Sequence, residues 1–88
     1  MTGEEIFKIL KDKIGTIYNK KEIAGIIAEY EKEQFEENVL VVEVRKNGSI
    51  VEGYGRCAEY VYYKSCEDSD IFKLYVDVFD DIVNVIKY

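Results

Sequence analysis

The residues whose side chains could do chemistry are few. Cys57 and Cys66 are the only thiols, and the chain contains no His and no Trp. A zinc site needs three or four ligands, so two Cys without His would leave carboxylates to complete any set. A redox pair favours Cys-x-x-Cys at a helix start, whereas these two lie nine residues apart. The ordinary reading is two partly buried thiols. A disulfide is the alternative, mainly in a hyperthermophile.

Glu43 and Glu52 form the one candidate carboxylate pair, if the chain turns back on itself between them. Like charges facing each other across two strands destabilise, so such a placement asks for a reason. Glycosidases do use two carboxyls at about 5–9.5 Å. They hold them in deep clefts, which a small sheet lacks, and Arg45 and Arg56 are near enough to neutralise the pair. Glu67-Asp68-Ser69-Asp70 has the acidity of a calcium loop. Counted from Asp68, however, the EF-hand Gly and Glu positions hold Lys73 and Phe79. The acidic run suits a helix start better. Gly53-Tyr54-Gly55 lacks the Lys and the following helix of a phosphate loop. No base accompanies Ser49, Ser65 or Ser69. The expectation is a protein that is not an enzyme and needs neither metal nor cofactor.

The elements that would position these residues follow from spacing. Thr2-Gly3-Glu4-Glu5 is a capping box, and Ile6, Ile9, Leu10 and Ile14 recur at helical intervals before Gly15. Asn19 with Glu22 three residues on opens a second helix, lined by Ile23, Ile26, Ile27 and Tyr30, with Asn38 as its C-cap. Residues 3–14 and 20–37 therefore read as an αα-hairpin. Val39 to Arg45 changes to a strand pattern, and Asn47-Gly48 is a strong two-residue hairpin signal. Residues 57–64 are rich in strand formers and read as a third strand, with a short helix as the alternative. From Asp70 onward, placing residues at ~100° intervals gathers Ile71, Phe72, Leu74, Tyr75, Val76, Val78, Phe79, Ile82, Val83, Val85 and Ile86 into an arc of about 200°. That predicts a broad-faced C-terminal helix with Phe79 in the core, which either lies between the sheet and the αα-hairpin or offers one side to a second subunit. The expected architecture is a single α+β domain over residues 1–88, in the order ααβββα, with a small antiparallel sheet against the helices.

Length and charge bound the function. Eighty-eight residues, 48% of them hydrophobic, suit one packed core. The net charge of −6 opposes direct binding to a nucleic-acid backbone. Acidic blocks at 22–43 and 65–88 alternate with mildly basic ones at 1–21 and 44–64. No apolar run approaches the ~20 residues of a membrane span. Glu4, Glu5 and Lys8 interrupt any signal-peptide core, which leads us to expect an intracellular, cytoplasmic protein with no membrane partner.

Two surface features stand out. One is acidic density, with Glu29, Glu31, Glu33, Glu36 and Glu37 close together and Asp77, Asp80 and Asp81 on the last helix. The other is tyrosine, with Tyr54, Tyr60, Tyr62 and Tyr63 within ten residues. Charge runs are commonly just solvated faces. Tyrosine joins broad contact area to a polar tip and is enriched at interfaces. Together they predict a surface for a basic protein partner, built from Glu29, Glu33, Glu36, Glu37, Tyr54, Tyr60, Tyr62, Asp77, Asp80 and Asp81.

In its short length, its pI near 4.6, the Glu29–Glu37 run and the tyrosine cluster, the chain resembles the small acidic inhibitors that phages and archaeal viruses encode against host defence, such as anti-CRISPR proteins. The resemblance is one of class and carries no motif or functional residue. It implies an inhibitor, working inside an infected cell, that occupies a partner's basic nucleic-acid-binding surface. An immunity protein or antitoxin would make the same demands on the surface. A structural or regulatory homodimer through the C-terminal helix is the alternative of another kind.

Overall fold

Two helices form where the capping residues place them. The computed structural model describes residues 3–34, 41–64 and 69–88, with side chains at 3–28, 50–63 and 71–88. Helix α1 (Gly3–Asp12) carries Glu4 and Glu5 in its first turn and Lys11 in its last, as the helix dipole favours. It tightens as it ends, with Lys13 N–H donating to Leu10 O and Ile14 N–H to Lys11 O. Gly15 then takes a φ of 90°. Helix α2 (Lys20–Gln34) starts on Asn19, whose Oδ1 accepts the Glu22 N–H at 3.2 Å. Thr2 and Asn38, the expected outer caps, lie outside the described residues. Ile6 and Leu10 of α1 and Ile23 and Ile27 of α2 are fully buried, and the two helices pack together on one face of a sheet.

That sheet is an antiparallel meander in the order β1-β2-β3-β4, formed by β1 (Val41–Val51), β2 (Gly55–Lys64), β3 (Ser69–Val76) and β4 (Ile82–Lys87). The chain order is therefore ααββββ, which overturns the expected ααβββα. Helices and an antiparallel sheet remain, but the C-terminal helix does not exist. Apart from Leu74, every apolar residue from Ile71 to Ile86 is β-branched or aromatic, a composition that favours the pleated surface over the helix. The arc of about 200° came from winding a period-two pattern onto a helical wheel. In the sheet, Phe72, Leu74 and Val76 alternate inward, and Ile82 and Val85 face the same core from β4. Asp77 to Asp81 make the turn between the two strands.

The hairpin signal at Asn47-Gly48 is likewise not a turn. Strand β1 runs through it. The register slips there, from Lys46 opposite Glu59 to Ser49 opposite Cys57, so the dipeptide absorbs one extra residue as a bulge. The turn lies at Glu52-Gly53-Tyr54. Tyr54 N–H donates to Val51 O at 2.9 Å, and Gly53 supplies the positive φ (85°) that the third turn position needs. The later turn wins because it pairs β1 with the tyrosine-rich stretch 57–64. The nearer partner, 49–55, contains Gly53 and Gly55 and is a weak strand. The segment expected as the third strand is thus β2.

Two further bulges, at Ile71 on β3 and Val83 on β4, add local twist and bend the sheet over the helices. The inner face takes Tyr60, Tyr62, Phe72, Leu74, Val76 and Val85. Among the described residues no helix is long and apolar enough to cross a membrane.

Candidate functional site

The meander brings the 52–54 turn of β1–β2 and the 77–81 turn of β3–β4 to the same end, where the connection between the helices also lies. That connection is pinned to the β3–β4 turn by backbone hydrogen bonds. Gly15 N–H donates to Ile82 O (2.7 Å), Ile82 N–H to Thr16 O (2.9 Å) and Tyr18 N–H to Asp80 O (2.8 Å), and Ile17 pairs with Asp81 as a short antiparallel bridge. The β3–β4 turn is held from within. One oxygen of Asp77 accepts both the Phe79 N–H (2.9 Å) and the Asp81 N–H (3.0 Å), while Asp80 takes a φ of 65° that aspartate tolerates.

Large apolar side chains stand at this hydrogen-bonded end without being buried. Ile17, Ile50, Val78 and Phe79 are each at least 70% exposed, with Ile14 and Tyr54 beside them in the loops. Of the exposed large hydrophobics among the described residues, only Tyr88 lies elsewhere. Glu52, Asp77, Asp80 and Asp81 stand among them on the sheet-turn side together with exposed Arg56, which pairs with Ile50, and exposed Lys20 and Lys21 mark the helix side. Single exposed hydrophobics are ordinary, but several at one end of a small protein mark a contact surface. Among the described residues no group of three or more Cys, Asp or Glu side chains is placed to hold a metal ion. Glu43, opposite Tyr62 on β1, and Glu52, in the turn, are nine positions apart along an extended chain, or about 30 Å. They are not the facing pair expected from the hairpin signal.

The expected binding residues divide. Tyr54, Asp77, Asp80 and Asp81 do gather at the loop end, though the three aspartates belong to a strand turn and not to a helix, and Asp77 is occupied in shaping that turn. Tyr60 and Tyr62 are in the core. The Tyr18 and Tyr60 rings lie 4.1 Å apart, and the Tyr18 and Tyr62 hydroxyls share a hydrogen bond at 2.5 Å. Their alternation with the outward Tyr63 is as expected, but their buried face is closed to a partner. Glu29 and Glu33 lie on α2, about 14 Å and 20 Å along its axis from Lys20 at 1.5 Å per residue. That places them away from the loop end. Glu36 and Glu37 lie outside the described residues.

The sequence reading missed Ile17, Ile50, Val78 and Phe79. The signal was an apolar pair, Val78-Phe79, enclosed between Asp77 and Asp80-Asp81. A turn has no layer against which to bury such side chains. Cys57 is buried, and burial, with the Asp77 carboxylate adding to it, pushes its thiol pKa up. It stays protonated at neutral pH, unlike a nucleophilic cysteine. Ser69 and Asp70, expected to cap a helix, are instead extended at the start of β3 and pair with Lys64 and Tyr63; 65–68 lie outside the described residues.

No protein-family model, no curated protein and no solved structure matches this chain.

Proposed function

We propose that the protein is a non-enzymatic binding module that docks by its loop end onto a basic, nucleic-acid-binding protein and denies that surface to nucleic acid. The observation that carries the reading is the exposure of Ile17, Val78 and Phe79 on connections that hydrogen bonds hold in place, with exposed Ile50 beside them at the end of β1. Binding energy concentrates in a few large side chains that enter pockets, and it is greatest when the anchors need no ordering on contact. The carboxylates Glu52, Asp80 and Asp81 around those anchors favour a partner whose pocket is rimmed by Lys or Arg. Such charges set association rate and partner choice more than final affinity. A net charge of −6 adds long-range attraction to a basic surface, so binding weakens as salt rises. The class resemblance to viral inhibitors of host defence points to the same kind of partner.

The test is capture of a basic partner at low salt by the tagged chain, followed by competition with that partner's nucleic acid. The combined variant Val78→Ser, Phe79→Ser should stay folded and bind at least tenfold more weakly. A partner bound equally well by wild type and variant would refute the loop end as the docking surface. A partner that holds nucleic acid and this protein together would refute the blocking role.

A further inference from the structure

The cations and the carboxylates of the loop end belong to different layers. Within residues 11–22, 50–56 and 77–82 most charges offset one another. Lys11 and Asp12 are adjacent where α1 ends, Lys13 is ion-paired with Glu22, and Glu52 and Arg56 lie on either side of the β1–β2 turn. Asp77 accepts the Phe79 and Asp81 N–H groups. What is left is Lys20 and Lys21 on the helix layer and Asp80 and Asp81 on the sheet layer. Among the described residues none of these four has an ion-pair partner within the chain.

Open apolar surface stands at the seam of the two layers. Ile17, on the helix connection, and Val78 and Phe79, on the β3–β4 turn, are each at least 70% exposed. The Ile17–Asp81 bridge and the bond from Tyr18 N–H to Asp80 O tie the two segments together. The end of the molecule therefore offers lysines, large hydrophobic side chains and aspartates on a backbone that is already fixed.

We propose that a second copy of the chain covers this end when no partner does, so that the protein self-associates weakly there and a partner must displace that copy. The inference rests on the docking role of the loop end and adds a control on it. A two-fold contact must be self-complementary, because each patch meets its own copy. With the axis at the seam, the helix layer of one copy faces the sheet layer of the other. Lys20 and Lys21 then meet Asp80 and Asp81 on both sides of a centre made by Ile17, Val78 and Phe79. The carboxylates that select a basic partner take the chain's own lysines in its absence. Over the whole molecule a net charge of −6 opposes a second copy, whereas at this end only the charge of Asp77 is left over. A few side chains, with on the order of 100 Å² open on a ring such as Phe79, fall short of the ~800 Å² per partner of a stable complex. The contact is accordingly weak and concentration-dependent. It is not the homodimer expected through a C-terminal helix, because Phe72 and Val76 point into the core.

Sedimentation of the chain alone, over a concentration series, reads self-association without any partner. Wild type should rise from the 10.3 kDa chain mass toward twice that value. One variant combines Lys20→Glu with Lys21→Glu. A second combines Asp81→Lys with Asp80→Asn, since Asn also tolerates the positive φ at position 80. Each should self-associate about tenfold more weakly or worse. Mixed in equal amounts they should associate again, because each presents the charge that the other lacks. If either fails to fold, Phe79→Ser at its exposed position replaces it, and undiminished association there overturns the proposal. Wild type that stays monomeric at every concentration also overturns it and leaves partner docking standing. So does a dimer indifferent to both charge variants, a mixture of folded variants that stays monomeric, or a dimer that takes up the basic partner without dissociating. The lysine variant should bind that partner at least as well as wild type, because a pocket rimmed by Lys or Arg has no use for Lys20 and Lys21. A dimer broken by these variants, beside a partner bound equally well after Val78→Ser and Phe79→Ser, would refute the docking role alone.

Discussion

Replacing Phe72 and Phe79 separately by Ala distinguishes the two-strand C-terminal segment from a helix by more than the error of any denaturation experiment. Phe72 is fully buried, faces Tyr62 across the sheet and stacks on Phe7 with ring centroids 6.5 Å apart. Removing such a ring costs the lost burial and leaves a cavity, about 3–5 kcal/mol together. At ~0.05–0.15 kcal/mol per residue, an 88-residue protein has roughly 4–13 kcal/mol of stability in all. Phe72→Ala should therefore leave the chain marginal or unfolded. Phe79 is 78% exposed in the β3–β4 turn. About a fifth of its side chain is removed from water, so of the ~1.5–3 kcal/mol for complete burial only about 0.5 kcal/mol is at stake. On a helix, both rings would lie in the apolar arc and cost alike. Urea unfolding followed by circular dichroism reads the difference. With a slope of about 1 kcal/mol per molar, the midpoint should fall by about 0.5 M for Phe79→Ala and by about 3 M or more for Phe72→Ala. Equal losses from the two variants would refute the placement of Phe79 in an exposed turn.

Four further outcomes are expected. Asp77→Ala removes the acceptor of two turn N–H groups and should cost about 1–2 kcal/mol in chemical denaturation; a change within error would show that the turn does not depend on it. Gly53→Ala meets no neighbouring atom within 4 Å, so its whole cost is the positive φ, about 1–2 kcal/mol; thermal unfolding measures it. Tyr62→Phe removes one hydroxyl from the part-buried bond to Tyr18 and should lower stability by about 1 kcal/mol, whereas a stabilised variant would contradict that bond. Cys57, studied with Cys66→Ser to leave one thiol, has a raised pKa, so the native fold holds its proton more tightly than the unfolded chain does. Its stabilising effect is therefore full below the unfolded thiol pKa and is lost as pH rises through the folded value. Native protein should react with a thiol reagent far more slowly than denatured protein, and equal rates would place the thiol at the surface.

The chain's first third was legible because its signals are local. Asn19 caps α2, Gly15 follows α1 with positive φ, and Ile6, Leu10, Ile23 and Ile27 keep the helical spacing that buries them. The remainder depended on competition between distant segments. Asn47-Gly48 is a good turn in isolation. Its use as one would have paired β1 with a glycine-bearing stretch, and the longer pairing with 57–64 won. Residues 70–87 satisfied a helical wheel and a strand alternation together. Their β-branched and aromatic composition favours strands, and in the folded chain it outweighs the angular pattern. The binding site divided in the same way. Composition picked out Tyr54 and the aspartates of 77–81, but tyrosine type alone could not say that Tyr60 and Tyr62 point inward.

By itself the sequence determined the charge, the scarcity of catalytic side chains, the two helices and the strand character of 57–64. Each of these is a property of residue type or of neighbours within about one helical turn. Only the tertiary structure decided where the chain reverses, because a turn's worth depends on the strands it brings together. It also decided which hydrophobic residues stay in water. Val78 and Phe79 resemble core residues by type, and they are exposed because the turn carrying them lies beyond the last layer that could cover it.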